Sequence, residues 1–81
     1  MYYTYVLFSL KDSSLYIGFT GDLKKRIKEH NDGLTESIKE RRPFKLVYYE
    51  AHLSKEISIE RERYLKSGWG RKYLKNKLKI Q

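Results

Sequence analysis

The chain has 81 residues and no cysteine, which fits one small core and excludes disulfides, thiolate zinc sites and a cysteine nucleophile. Its net charge is +8, and residues 41–81 carry the whole excess because bases and acids balance over residues 1–40. No apolar run approaches the ~20 residues that span a bilayer, and the N-terminus lacks the pattern of an export signal. The expectation is therefore a soluble, cytoplasmic single domain over residues 1–81, with no membrane partner.

Tyr2 to Ser9 is aromatic and β-branched, which favours a strand. Lys11-Asp12-Ser13-Ser14 is a polar turn, and Leu15-Tyr16-Ile17 resumes the strand pattern before Gly18. Strands this close in sequence must pair as an antiparallel hairpin. Thr20 or Asp22 then caps a helix that runs to about Asn31, where Asn31-Asp32-Gly33 is a stop. Leu23 and Ile27 form its inner stripe, and Arg26 and His30 lean over the rim one position off that stripe.

Residues 34–43 read as a mobile polar loop closed by Pro43. Phe44 to Glu50 is a third strand with Phe44, Leu46 and Tyr48 on one face and Val47 and Tyr49 on the other. Ser54 caps a second helix reaching about Lys66, its inner side being Ile57, Arg61, Tyr64 and Leu65. Ser67-Gly68 breaks it, and a last helix from about Trp69 to Lys79 turns Trp69, Tyr73, Leu74 and Leu78 inward. The expected fold is α+β, a three-stranded antiparallel or mixed sheet flanked by helices in the order ββα-β-αα.

From Lys66 onward there are six bases and no acid. A one-sided basic field concentrates polyanions, so nucleic acid is the expected partner. Phosphate contacts are expected from Lys66, Arg71, Lys72, Lys75 and Lys77. No Gly-x-Ser-x-Gly elbow or glycine-rich phosphate loop is present, and two histidines are too few for a histidine-rich metal centre. What remains for chemistry is eight tyrosines, arginine, one helix histidine and the glutamates of the C-terminal half.

Four segments in order carry a family likeness: Leu15-Tyr16-Ile17-Gly18, Arg26-x-x-x-His30-Asn31, Leu46-Val47-Tyr48-Tyr49-Glu50, and Arg61-Glu62-Arg63-Tyr64-Leu65-Lys66. With Tyr3-Thr4-Tyr5 in the place of the first signature tripeptide, the chain resembles the GIY-YIG nuclease superfamily over almost its whole length. The likeness is to the small bacterial members related to the nuclease domain of the excinuclease C subunit. It implies a DNA endonuclease of repair or recombination that uses one divalent cation, Mg²⁺ or Mn²⁺.

By that resemblance Glu62 is the metal ligand, and Arg26 steadies the charge of the scissile phosphate through a fork that lysine lacks. Tyr5 and Tyr16, facing each other across the hairpin, would act as general base (Tyr5 preferred) and as phosphate- or water-positioning partner (Tyr16), with the exchanged assignment also open. A phenol can serve as base if local positive charge favours phenolate. His30, near a helix C-terminus that favours imidazolium, would assist by proton transfer or by charge. The substrate could be branched, single-stranded or duplex DNA, with RNA also open, and the oligomeric state is not legible. The rival expectation is a non-catalytic nucleic-acid-binding module that retains this fold.

Overall fold

In the computed structural model, which describes residues 1–80, the strands β1 (Tyr2–Ser9), β2 (Leu15–Thr20) and β3 (Phe44–His52) form an antiparallel sheet of order β2-β1-β3. β1 is central, which explains why Thr4, Tyr5, Val6 and Leu7 are all buried. α1 (Leu23–Asn31) lies on the face bearing Tyr5 and Leu7. α2 (Lys55–Lys66) and α3 (Gly68–Leu78) lie on the face bearing Val6. Alternation along β1 thus feeds two cores: Tyr5, Leu7, Ile38 and Phe44 on one side, Val6, Ile17, Leu65 and Leu74 on the other.

The expected order ββα-β-αα is present, and the caps fall where the polar residues placed them. The Asp22 carboxylate accepts from Lys25 N–H, Ser54 Oγ from Ile57 N–H, and Gly33 takes the left-handed φ of 80° beyond the end of α1. Ser67 serves both helices at the elbow: its Oγ donates to the Tyr64 carbonyl (2.6 Å) and accepts from Gly70 N–H (3.3 Å). α3 crosses α2 at Gly70, where a Cβ would drive into the Tyr64 carbonyl and the Leu65 backbone.

Several expected faces are corrected. β3 carries a bulge: Val6 pairs with Tyr48 but Leu7 pairs with Leu46, leaving Val47 as an extra residue. Beyond it the faces exchange. Tyr48 packs with Val6 and Leu65 rather than with Phe44 and Leu46, while Tyr49, paired with Tyr5, returns to the α1 side. β3 also continues to His52, two residues past the expected Glu50.

Of the expected inner side of α2, Arg61 and Leu65 face inward, but Ile57 and Tyr64 do not. Ser58 and Leu65 are buried and Arg61 and Glu62 half-buried, whereas Ile57 and Tyr64 are exposed. Ser58 is completely buried, and its carbonyl accepts a buried hydrogen bond of 2.9 Å from Thr4 Oγ1 on β1. In α3, Leu74 is buried and Leu78 half-buried as expected, but Trp69 is 74% exposed and Tyr73 is also exposed. Residues 34–43 are not a free loop: Ile38 enters the core, Ser9 Oγ donates to the Arg41 carbonyl at 2.6 Å, and Lys39–Arg41 form a 3₁₀ turn.

Candidate functional site

The site is built around a tyrosine that leans across its neighbouring strand. Tyr5 pairs directly with Gly18, and a Cβ on Gly18 would lie 2.6 Å from the Tyr5 hydroxyl and 2.8 Å from Cζ. Glycine at this position lets the phenol pass over β2, the edge strand of the sheet, and reach the rim. Tyr16 pairs with Leu7, so the two tyrosines are diagonal neighbours rather than directly opposed, with ring centroids 6.4 Å apart.

His30 meets them from α1. Its Nε2 lies 2.8 Å from the Tyr5 hydroxyl and its Nδ1 lies 2.8 Å from Thr35 Oγ1. Its ring stands edge-on to Tyr16 at 5.2 Å. The expected rim position is corrected: His30 is completely buried, because both ring nitrogens find polar partners in the interior. The expected imidazolium is corrected as well. Burial, aided by the Arg26 charge and opposed by Glu29, holds His30 below its ordinary pKa, so the ring is neutral at pH 7. A neutral ring donates from one nitrogen and accepts at the other. Tyr5 O–H can therefore donate to Nε2 while Nδ1–H donates to Thr35, or both bonds can run in reverse.

Tyr5 is pushed up to about 12, by burial first and then by Tyr16 and Glu62, with Arg26 pulling the other way. Phenolate is thus disfavoured in the resting protein, so the condition for a phenol to act as base, local positive charge that favours phenolate, is not met at Tyr5. Arg26 sits beside that hydroxyl, half-exposed, and its Nη1 donates to Glu29 Oε1 at 3.1 Å.

Glu62 arrives from the opposite face of the sheet, at the inner stripe of α2, i+4 from Ser58. Because β2 is an edge strand, the two faces meet there, and the Glu62 carboxylate is near enough to raise the Tyr5 pKa. Its side chain is 18% exposed and its Oε2 lies 3.6 Å from Lys66 Nζ. α2 is itself fixed to β3 by Arg61, which donates to both oxygens of Glu50 at 2.8 and 2.7 Å. Tyr48 O–H also donates to Glu50 (2.5 Å), and the Tyr73 hydroxyl lies 3.2 Å from that of Tyr48. Arg61, mainly, holds Glu50 below its ordinary pKa.

This sheet, its two helical layers and the tyrosine–histidine pair at the β2 edge invite comparison with known proteins. The sequence matches the GIY-YIG catalytic domain over residues 1–78. The chain belongs to the GIY-YIG family. A UPF0213 protein of Clostridium perfringens is 46% identical over 67 residues, 82% of this chain and 71% of that protein. The UPF0213 protein YazA of Bacillus subtilis is 44% identical over 57 residues, 69% of this chain and 58% of that one. The solution structure of a UPF0213 protein from Bacillus halodurans superposes with a TM-score of 0.54 at 37% identity, covering 91% of this chain and 82% of that chain.

In this GIY-YIG domain the glycine of Tyr16-Ile17-Gly18 has a steric role, to admit the Tyr5 phenol. Among the described residues no group of three or more histidine, cysteine or acidic side chains is placed to hold a metal. Glu62 offers one hard carboxylate with part of its surface open. That donor set does not fit zinc, which wants three or four protein ligands, and fits Mg²⁺ or Mn²⁺ that keeps most of its waters.

The basic residues divide. Lys66 stands beside Glu62, and Lys72 lies over the Trp69 ring at 5.9 Å. Arg71 and Lys75, one turn apart on α3, share a hollow with Arg41. Sequence reasoning missed Thr35, Arg41 and the Glu50–Arg61 pair as contributors. Only the last had a signal, both residues lying inside the family segments.

Proposed function

We propose that this protein is a divalent-metal-dependent endonuclease that hydrolyses DNA phosphodiester bonds, structure-directed or non-specific, in DNA repair or recombination. The observation that carries the reading is the Tyr5 hydroxyl bonded to a buried neutral His30 at 2.8 Å, with Arg26 alongside. Hydrolysis needs a proton taken from water and compensation for the charge gathering on the phosphate. A phenol near 12 is a poor base alone, but it relays. As water gives a proton to the Tyr5 oxygen, the phenolic proton passes to His30 Nε2, and Nδ1–H stays on Thr35.

Arg26 exchanges Glu29 for the phosphate, where its planar fork grips two oxygens. Tyr16, edge-on to His30, orients the water or a phosphate oxygen. Glu62 would hold the cation, which when bound neutralises phosphate charge and acidifies water. Neither the catalysed reaction nor its substrate depends on reading bases, since phosphate contacts carry no sequence information.

The test is incubation of the purified protein with plasmid, branched and single-stranded DNA, and with RNA, in Mg²⁺, Mn²⁺ or EDTA. Cleavage of DNA that EDTA abolishes is expected. Binding without cleavage on every substrate would leave the non-catalytic module as the correct reading.

A further inference from the structure

A basic hollow lies away from the Tyr5–His30 site. At the hairpin-turn end of β2, on the α3 side of the sheet, a hollow of about 480 Å³ is lined by Arg41, Arg71 and Lys75, with Ser13 and Ser14 at its rim. These cations come from two distant segments, the 3₁₀ turn and α3, so they are gathered by the fold rather than by local sequence. Arg41 is held in place: its Nη2 donates to the Leu15 carbonyl at 3.1 Å and to Ser14 Oγ at 2.5 Å. Arg71 is fixed by donation from Nε to the Lys66 carbonyl at 3.3 Å. One carboxylate lies close, Asp12, whose Oδ2 is 3.4 Å from Arg41 Nε. Three cations against that one acid leave the hollow clearly positive.

We propose that Arg41, Arg71 and Lys75 form a second phosphate-binding pocket that holds nucleic-acid backbone on the α3 side of the sheet, across β2 from the Tyr5–His30 site. The proposal rests on the reading of the protein as a nucleic-acid enzyme. The position of the hollow on an edge strand supports it. The hollow is floored by Leu15 and Ile17 of β2 and opens on the α2–α3 face, the face from which Glu62 comes, whereas Tyr16 and His30 lie on the other. Arg71, tied through Nε, can turn both Nη groups on two phosphate oxygens, while Arg41, whose Nη2 and Nε face Leu15, Ser14 and Asp12, adds Nη1 and its charge. Ordering Arg41 and Arg71 in advance lowers the entropy lost on binding.

The pocket also divides the basic tail into unequal parts. Arg71 and Lys75 face the hollow, whereas Lys72 lies over Trp69 and Lys77 does not line it. A merely diffuse basic tail would not distinguish these pairs.

The test compares Arg71→Ala/Lys75→Ala with Lys72→Ala/Lys77→Ala, equal in charge removed and on one helix. Binding of a short fluorescein-labelled duplex and of a labelled single strand is followed by anisotropy over a range of salt. Inorganic phosphate is titrated in parallel while the amide resonances of Ser14 and Arg41 are observed. The pocket predicts that Arg71→Ala/Lys75→Ala weakens DNA binding roughly tenfold, as expected for lost charge-assisted hydrogen bonds. It should also flatten the log-log salt slope by about 1 or more, and the other pair should do less of both. Phosphate should shift Ser14 and Arg41 in the parent and not in Arg71→Ala/Lys75→Ala.

Equal losses from the two double variants would overturn the pocket in favour of a diffuse tail. Phosphate shifts at Ser14 without any effect of Arg71→Ala/Lys75→Ala on DNA would make it a small-anion site and overturn the backbone reading. A parent that binds DNA through Arg71 and Lys75 yet never cuts it keeps the pocket and removes the hydrolase.

Discussion

Gly18→Ala tests the steric basis of the Tyr5 site. The new Cβ would fall 2.6 Å from the Tyr5 hydroxyl and 2.8 Å from Cζ, so the ring or strand must shift. If the ring moves, His30 Nε2 loses its partner inside the protein, a cost of about 1–3 kcal/mol. If the ring stays, overpacking costs a similar amount, about 1–3 kcal/mol. Alanine recovers about 0.5–1 kcal/mol of backbone entropy relative to glycine. The net loss is about 1 kcal/mol, which for a domain of this size lowers Tm by about 4–8 °C.

Thermal and urea unfolding of Gly18→Ala, Tyr5→Phe and the double variant measure it. Tyr5→Phe should cost less in the alanine background, where the hydroxyl is already displaced, by a coupling of about 1 kcal/mol. A Gly18→Ala protein as stable as its parent, with additive effects in the double variant, would refute the close approach.

Three further outcomes follow from other parts of the molecule. Gly70→Ala should cost about 3 kcal/mol, because its Cβ meets rigid backbone of α2 rather than a side chain; undiminished stability in urea would contradict the α2–α3 crossing. Since the folded state holds His30 below its ordinary 6.5, the unfolded chain takes up a proton first, and stability present above pH 6.5 is lost as pH falls toward the lower folded value. The unfolding free energy from urea titrations should decline by up to about 1.4 kcal/mol per pH unit in that window, above the range where Glu50 and Asp12 protonate; a stability flat from pH 7.5 to 5.5 would refute a neutral buried His30. Arg61→Ala leaves Glu50 half-buried with its bidentate partner gone, and should cost about 1–3 kcal/mol in the same assay.

The strands and caps were legible because they follow local chemistry: β-branched and aromatic runs, Asp22 and Ser54 before helices, Gly33 after one. The β3 bulge was not. One extra residue at Val47 leaves no mark in composition, yet it exchanges the faces of Tyr48 and Tyr49. Arg61 and Leu65 were placed correctly on the inner side of α2, but Ile57 and Tyr64 misled because they are apolar at helical spacing, while Ser58, whose carbonyl accepts from Thr4, is the residue buried there. Trp69 misled in the same way, its exposed ring lying under Lys72.

Motif order singled out Tyr5, Tyr16, Arg26, His30 and Glu62. The structure brings the first four together directly, whereas Glu62 touches none of them in a described hydrogen bond or ion pair and meets Tyr5 only as a weak electrostatic neighbour. Protonation states were beyond the sequence, because they depend on burial. A histidine near a helix end reads as charged until its ring is seen enclosed between Tyr5 and Thr35.

Glu62→Gln tests the proposed hydrolase most directly. The substitution keeps size and hydrogen bonding, removes the charge that would hold a divalent cation, and leaves every tail lysine in place. Cleavage of plasmid and branched DNA in Mg²⁺ should be abolished while anisotropy reports nearly parental DNA binding. Cleavage by Glu62→Gln at the parental rate would contradict the account.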